Sequence, residues 1–253
     1  MVTLKWNRLI FIGLLLAGWQ LLFISGRYSP ALVPSLQSIG GTFTDECLNG
    51  QLPKAVVYSI VAIFKGLLWS VAVSGILVLI GSATEWLDDL VEFVVSIAHP
   101  LPGIAILPLV ILWFGIGEKA VLFVVIHSML WPMVVTIKAE VKRLKNRYQR
   151  VSKAFNLSRF KTVVHIYLVG TVPGIITGAK IAWSRGWRAF ISAEMVFGIV
   201  GQKSGLGWYL FEQRVYMNAA GLFSGLIAII LCGVFIEQVI FNRLDAWVQL
   251  RWR

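Results

Sequence analysis

Apolar runs near residues 9–25, 55–80, 90–113, 119–137, 173–199 and 219–241 recur along the chain, separated by polar segments. A hydrocarbon core about 30 Å thick is crossed by roughly 20 apolar residues in a helix. Lipid offers no hydrogen bonds to a backbone, so spans of this length close their own bonds as helices. The alternating pattern of a barrel strand is missing. With 58% hydrophobic and only 14% charged residues, the chain does not resemble a soluble domain. These features predict an all-α membrane protein of about six transmembrane helices, folded as a single transmembrane domain over residues 1–253. The first run follows Lys5-Trp6-Asn7-Arg8. It is long for a signal peptide and no small-residue cleavage site follows, so it reads as a retained span.

The net charge of +11 is unevenly placed. Between Lys138 and Lys161 lie Lys138, Lys142, Arg143, Lys145, Arg147, Arg150, Lys153, Arg159 and Lys161, opposed only by Glu140. In a membrane protein such a cluster marks the cytoplasmic side rather than a nucleic-acid partner. Counting spans outward from it puts both termini in the cytoplasm, in keeping with Lys5, Arg8, Arg243, Arg251 and Arg253. The segments 27–54 and 200–218 then become external loops, and 138–170 the cytoplasmic region. A short amphipathic helix is expected near 35–48. The acidic turn ending in Asp88-Asp89 falls on the cytoplasmic side, where acidic residues carry little topological weight. Cys47 and Cys232 sit in segments unlike each other, and the three histidines are scattered, so no disulfide or metal set is expected.

Three segments carry candidate chemistry. The first is Ser152, Lys153, Ala154, Phe155, Asn156, Leu157 and Ser158 in the cytoplasmic region. Asn156 tolerates a left-handed backbone and can end a helix. Ser158 can cap the next one. This helix–break–helix with an apolar tip fits equally a basic pair lying on anionic lipid and a dock for a cytoplasmic partner. The second is the third span, with Pro100, Pro102 and Pro108. Proline removes backbone donors, and freed carbonyls at membrane depth need protein or a wet cavity. Pro102 and Pro108 are therefore candidates for a bend beside a pathway. The third is the fifth span, with Arg185, Trp187, Arg188 and Glu194. Arg185 and Arg188, three apart, share a helix face. That face either lines a path and attracts an anion, or its arginines pair with Glu194 or with carbonyls of the third span and serve structure alone.

Several motifs together carry a resemblance. Val172-Pro173-Gly174-Ile175-Ile176-Thr177-Gly178-Ala179-Lys180-Ile181-Ala182 is followed by Trp187, Ala193-Glu194-Met195 and Ser204-Gly205-Leu206-Gly207. Upstream stand Pro100-Leu101-Pro102 and Pro108-Leu109-Val110-Ile111-Leu112-Trp113-Phe114-Gly115. In order and spacing these resemble the nitrate/sulfonate/taurine/bicarbonate group of ABC importer permeases, over most of the chain from Tyr58 on. The family's cytoplasmic E-A-A–G–I-x-L-P signature is matched at Ile166 and Leu168. It is departed from at Arg150, Val151, Ser152, Asn156 and Val169.

The resemblance implies a type I ABC importer permease fold in a bacterial inner membrane, with residues 152–158 as the coupling helix. It implies two cytoplasmic ATP-binding subunits, a second permease copy as homodimer partner and an extracytoplasmic solute-binding protein. The solute would be a small anion such as nitrate, bicarbonate or a sulfonate. The chain would be no enzyme and hold no cofactor, with ATP-Mg on the partner ATPase; no nucleotide-binding G-x-x-x-x-G-K-[ST] occurs in it. The alternatives are a stand-alone secondary transporter or channel, which would need its own coupling-ion site and often shows inverted repeats, and a membrane enzyme, for which no H-E-x-x-H or G-x-S-x-G is found.

Overall fold

The computed structural model describes residues 6–155, 163–197 and 204–251, and these are helical nearly throughout. Helix α1 (Trp6–Ile24) buries none of its residues. It meets the rest through Trp19, whose indole donates to the Pro34 carbonyl at 3.0 Å and packs edge-on against Phe223. Helix α2 (Leu36–Leu48) is the short helix expected in the loop. Ser35 caps it, its hydroxyl accepting from the Ser38 amide at 3.0 Å. Gly50, at φ +77°, turns the chain into α3 (Gln51–Gly81).

Helix α4 (Glu85–Ala98), capped by Thr84, ends at His99. After a short 3₁₀ turn (Gly103–Ile106), α5 (Leu107–Phe114) leaves at 88° to α4. Pro100 and Pro102 lack the amides that would continue α4, which fixes the bend. Pro108 plays a different part. It sits in the first turn of α5, where the missing N–H has no helical acceptor to lose.

Helix α6 (Glu118–Ala154) outruns its apolar segment and carries the basic residues onward as one 37-residue helix. A single π turn (Val163–Leu168) precedes α7 (Val172–Phe197). Helix α8 (Leu206–Val215) is short, and α9 (Ala219–Phe235) continues through a π turn (Ile236–Phe241) into α10 (Asn242–Arg251). Among the described residues five helices are long and apolar enough to cross a membrane, or six if the bent α4–α5 pair is one span. Five of the six expected spans are therefore single long helices, and the third is a helix pair broken in its middle.

The core is the antiparallel seam of α6 and α7. Gly170, Gly174, Gly178, Ala182 and Gly186 recur every fourth residue and let the two backbones approach closely. A Cβ on Gly170 would lie 2.8 Å from Leu144, one on Gly174 2.7 Å from Glu140, and one on Gly178 3.0 Å from Met133. Helix α3 joins the other side of α6 by the same device: a Cβ on Gly66 would lie 2.6 Å from Val125. Ser59, Ser70 and Ser74 of α3 are fully buried.

Candidate functional site: a cationic cavity at mid-span

The approximately 20 residues from Glu118 to Lys138 rise about 30 Å, one hydrocarbon thickness. His127, Ser128 and Trp131 lie near the middle of that stretch, on the side of α6 that faces the α4–α5 bend. There the bend, α6 and α7 border an open cavity of ≈ 310 Å³. The bend contributes His99 through Ile104, Pro102 among them, and α7 contributes Arg185, Arg188 and Ser192. Gly103 is the point of closest approach. A Cβ there would run into the Ser128 hydroxyl and lie 3.2 Å from the Val124 carbonyl.

The electrostatics are one-sided. No carboxylate lines the cavity among the described residues. Arg185 has no hydrogen bond or ion pair with a described residue. Toward the described residues Arg188 uses only its Nε, donating to the Ser184 carbonyl on its own helix at 3.1 Å. On the facing wall, His127 Nδ1 and the Trp131 indole nitrogen are buried without a hydrogen-bond partner among the described residues, their rings in edge contact at 5.9 Å. A charge in mid-membrane costs about 2.5–3.5 kcal/mol on insertion scales. Both guanidiniums line the cavity, Arg185 half-buried and Arg188 exposed, so neither is sealed in an apolar interior.

Trp187, Glu194 and Pro108 do not line the cavity. Trp187 is buried on the other side of α7, stacked on Trp183 with centroids 6.3 Å apart. Glu194 is 2% exposed. Its carboxyl accepts from the Gly205 amide at 3.0 Å and from the Gly207 amide at 2.9 Å, while the intervening Leu206 amide donates to Ser59 Oγ at 2.9 Å. These amides open α8, so Glu194 and Ser59 supply the acceptors that a helix N-terminus lacks. Neither arginine pairs with Glu194. Of the coupling-segment candidates, Ser152, Lys153 and Ala154 form the last turn of α6 and Phe155 comes directly after it, 74% exposed. Asn156, Leu157 and Ser158 lie outside the described residues.

Sequence reasoning missed His127, Ser128 and Trp131 on α6 and the hydroxyl of Ser59. The signal for the first three was available: polar side chains inside an apolar span are functional candidates by default. It missed the ion pairs at the basic end of the bundle as well. Lys138 Nζ reaches Asp88 at 2.7 Å and Glu92 at 2.9 Å, holding the base of α4 against α6. Lys180 reaches Asp245 at 3.1 Å, holding α7 against α10. No cluster of His, Cys, Asp and Glu suited to a metal occurs among the described residues.

Comparison with known proteins places this arrangement. The chain is 24% identical to the taurine transport system permease protein of Escherichia coli, over 93% of this chain and 87% of that one. It is 26% identical to the putative aliphatic sulfonates transport permease protein of the same organism, over 94% and 88%. It is 30% identical to the bicarbonate transport system permease protein of Synechococcus elongatus, over 66% and 55%. Residues 72–250, which hold the cavity, the α6–α7 seam and the Glu194 contact, match the family of binding-protein-dependent transport system inner membrane components, and the chain is a member of that family.

Proposed function

We propose that this chain is the membrane-spanning subunit of an ABC importer and that the mid-span cavity is part of the path of a small anionic solute. The observation that carries the reading is the pair Arg185 and Arg188, half-way across the bundle in a cavity without a carboxylate among the described residues. Planar guanidinium forks suit the paired oxygens of carboxylate, sulfonate, nitrate or bicarbonate. The relatives named for taurine, sulfonates and bicarbonate support that class of solute.

The basic end of α6 is then cytoplasmic by the positive-inside rule, with both chain termini on that side. Phe155, exposed where α6 ends, is the apolar tip offered to one of two ATP-binding subunits. ATP-Mg is handled there and not by this chain. A second permease copy closes the open side of the cavity, and a solute-binding protein delivers cargo to the external face built by α2 and α8. The test is uptake by cells carrying the whole transporter with Arg185→Gln or Arg188→Gln. Uptake should fall at least about tenfold for each, the worth of one charge-assisted hydrogen bond, with the assembled complex recovered in normal amount. Normal uptake by both variants would end the anion-path reading.

A further inference from the structure

Trp131 borders two hollows. One is the cationic cavity. The other, of ≈ 160 Å³, lies between α3, α4 and α6, and Trp131 is the residue that both linings share. Apart from Trp131, the wall of this second hollow is aliphatic throughout, with Leu77 and Ile80 from α3 and five leucines and valines from α4. The local sequence makes the slot. Gly81 draws the α3–α4 hairpin together, since a Cβ there would lie 3.2 Å from the Asp88 carboxylate and 3.6 Å from the Val91 side chain. Further along α4, Val91, Val94 and Val95 present short side chains on one face, three and four residues apart, and leave the space between the three helices unfilled. Ile80, Leu90 and Val94 are exposed and form the rim, whereas Val91 is buried and forms the floor.

The depth of the slot says what surrounds it. Lys138, ion-paired with Asp88 and Glu92, marks the polar edge of the bundle. Val91 to Val95 lie about 5–10 Å along α4 from Asp88, inside the hydrocarbon layer. A dry apolar hollow of about 150 Å³ takes an apolar guest and not water. At this depth the apolar material on offer is lipid hydrocarbon. A protein partner brings about one hydrogen bond per 100–200 Å² of interface, and the aliphatic rim offers none. An empty slot forfeits the dispersion contacts of its lining, and in lipid those contacts, not the hydrophobic effect, drive packing. We propose that the slot is a binding site for one acyl chain of a membrane phospholipid, which enters over Leu90 and Val94 and packs on Val91 and Trp131. Because Trp131 also lines the cationic cavity, the bound chain supports one wall of that cavity from behind. The proposal goes beyond the solute reading and does not depend on it.

The test uses the transporter assembled with its partner subunits in lipid nanodiscs that contain a phosphatidylethanolamine with a diazirine midway along one acyl chain. After illumination, labelled residues are located by peptide mass spectrometry. Leu67 of α3 is the reference, at 8% exposure as buried as Val91 but outside the slot. Val91 should be labelled about fivefold or more above Leu67, the worth of the dispersion contacts that a chain gains in a confined slot, with Trp131 labelled beside it. Val94→Trp, which fills the entrance, should bring Val91 and Trp131 down to the level of Leu67 and leave the lipid-exposed residues of α1 labelled as before. Val91 labelled no more than Leu67 would overturn the proposal, and so would labelling of Val91 that survives Val94→Trp. Label on Val91 in the isolated permease but not in the assembled transporter would show a protein covering the slot, and would overturn it too. The comparison of Val91 with Leu67 is made on the unaltered chain, so poor folding of Val94→Trp does not touch it.

Discussion

Glu194 is buried in the middle of a family motif, and the structure gives it a measurable task. Its two carboxyl oxygens accept from the Gly205 and Gly207 amides at 3.0 and 2.9 Å, and Ser59 takes the Leu206 amide between them. Three consecutive backbone donors at the start of α8 therefore depend on two side chains from α7 and α3. Hydrogen bonds to a carboxylate are worth about 1.5–3 kcal/mol each and those to a neutral hydroxyl about 0.5–1.5 kcal/mol. Glu194→Ala removes two of the first kind, about 3–6 kcal/mol. Each amide loses one of these bonds, so at 1.4 kcal/mol per factor of ten exchange at Gly205 and at Gly207 should speed up by at least about tenfold. Glu194→Gln keeps one accepting oxygen and turns an NH₂ toward the second amide, so one of the two sites stays protected. Ser59→Ala should accelerate Leu206 by about tenfold or less. The assay is hydrogen exchange read by mass spectrometry on peptides covering residues 204–209. Peptides from the α6–α7 seam serve as the control for global loosening. An acceleration below tenfold in Glu194→Ala, with the seam unchanged, would show that the amides are held by something else and would refute the clamp.

Charged groups at the ends of the bundle give two further outcomes. Glu46 on α2 has its carboxyl held above the usual range by burial first, then by the charges of Glu212 and Asp45. A raised folded-state value means that this group is a penalty once ionised, absent at low pH and present above its folded value, so stability from it falls as pH rises. Glu46→Gln should therefore raise the melting temperature of the solubilised protein at pH 7 and leave it unchanged near pH 4; an equal gain at both would point to packing. Lys138 serves two carboxylates that are themselves 45% and 63% exposed, which limits each pair to about 0.2–1 kcal/mol. Lys138→Gln should lower the melting temperature by a few degrees, about twice the effect of Asp88→Asn or Glu92→Gln; a single-acid variant as damaging as Lys138→Gln would contradict this sharing.

The six spans were legible because apolar length alone decides what can cross a bilayer. The α2 helix was legible as a short amphipathic stretch near 35–48, and its cap at Ser35 came only with the structure. What escaped sequence reading is what depends on depth and on distant partners. The apolar run of α6 stops at Ile137, yet that span and the basic helix expected before Asn156 form one continuous helix to Ala154, since lipid solubility and helix formation are separate requirements and Lys, Arg and Glu are good helix formers. Ser59 meets Leu206 across 147 positions of sequence, and nothing local in Val57-Tyr58-Ser59 announces it. The expectation that Pro108 marks a bend treated three prolines alike, whereas position within the helix decides whether a proline breaks it or starts it.

The fifth span holds the sharpest case, because the separation of its charged residues is a matter of helical angle. At about 100° per residue, Arg185, Arg188, Ala189 and Ser192 fall within a sector of about 100° to one side of Gly186. Trp183, Trp187 and Glu194 fall about 60–100° to its other side. The seam with α6 passes between the two sectors at Ala182 and Gly186. Close packing of that seam restricts the rotation of α7, since a Cβ on Gly186 would run into the Met129 side chain. Once the rotation is fixed, the arginines can face only the cavity, and Glu194 only α3 and α8. The carboxyl that could have neutralised Arg185 or Arg188 is thereby turned away from them and occupied by backbone amides. The cavity keeps its positive sign because one helix face of small residues separates the acid from the bases, and that arrangement leaves the guanidiniums available to a solute.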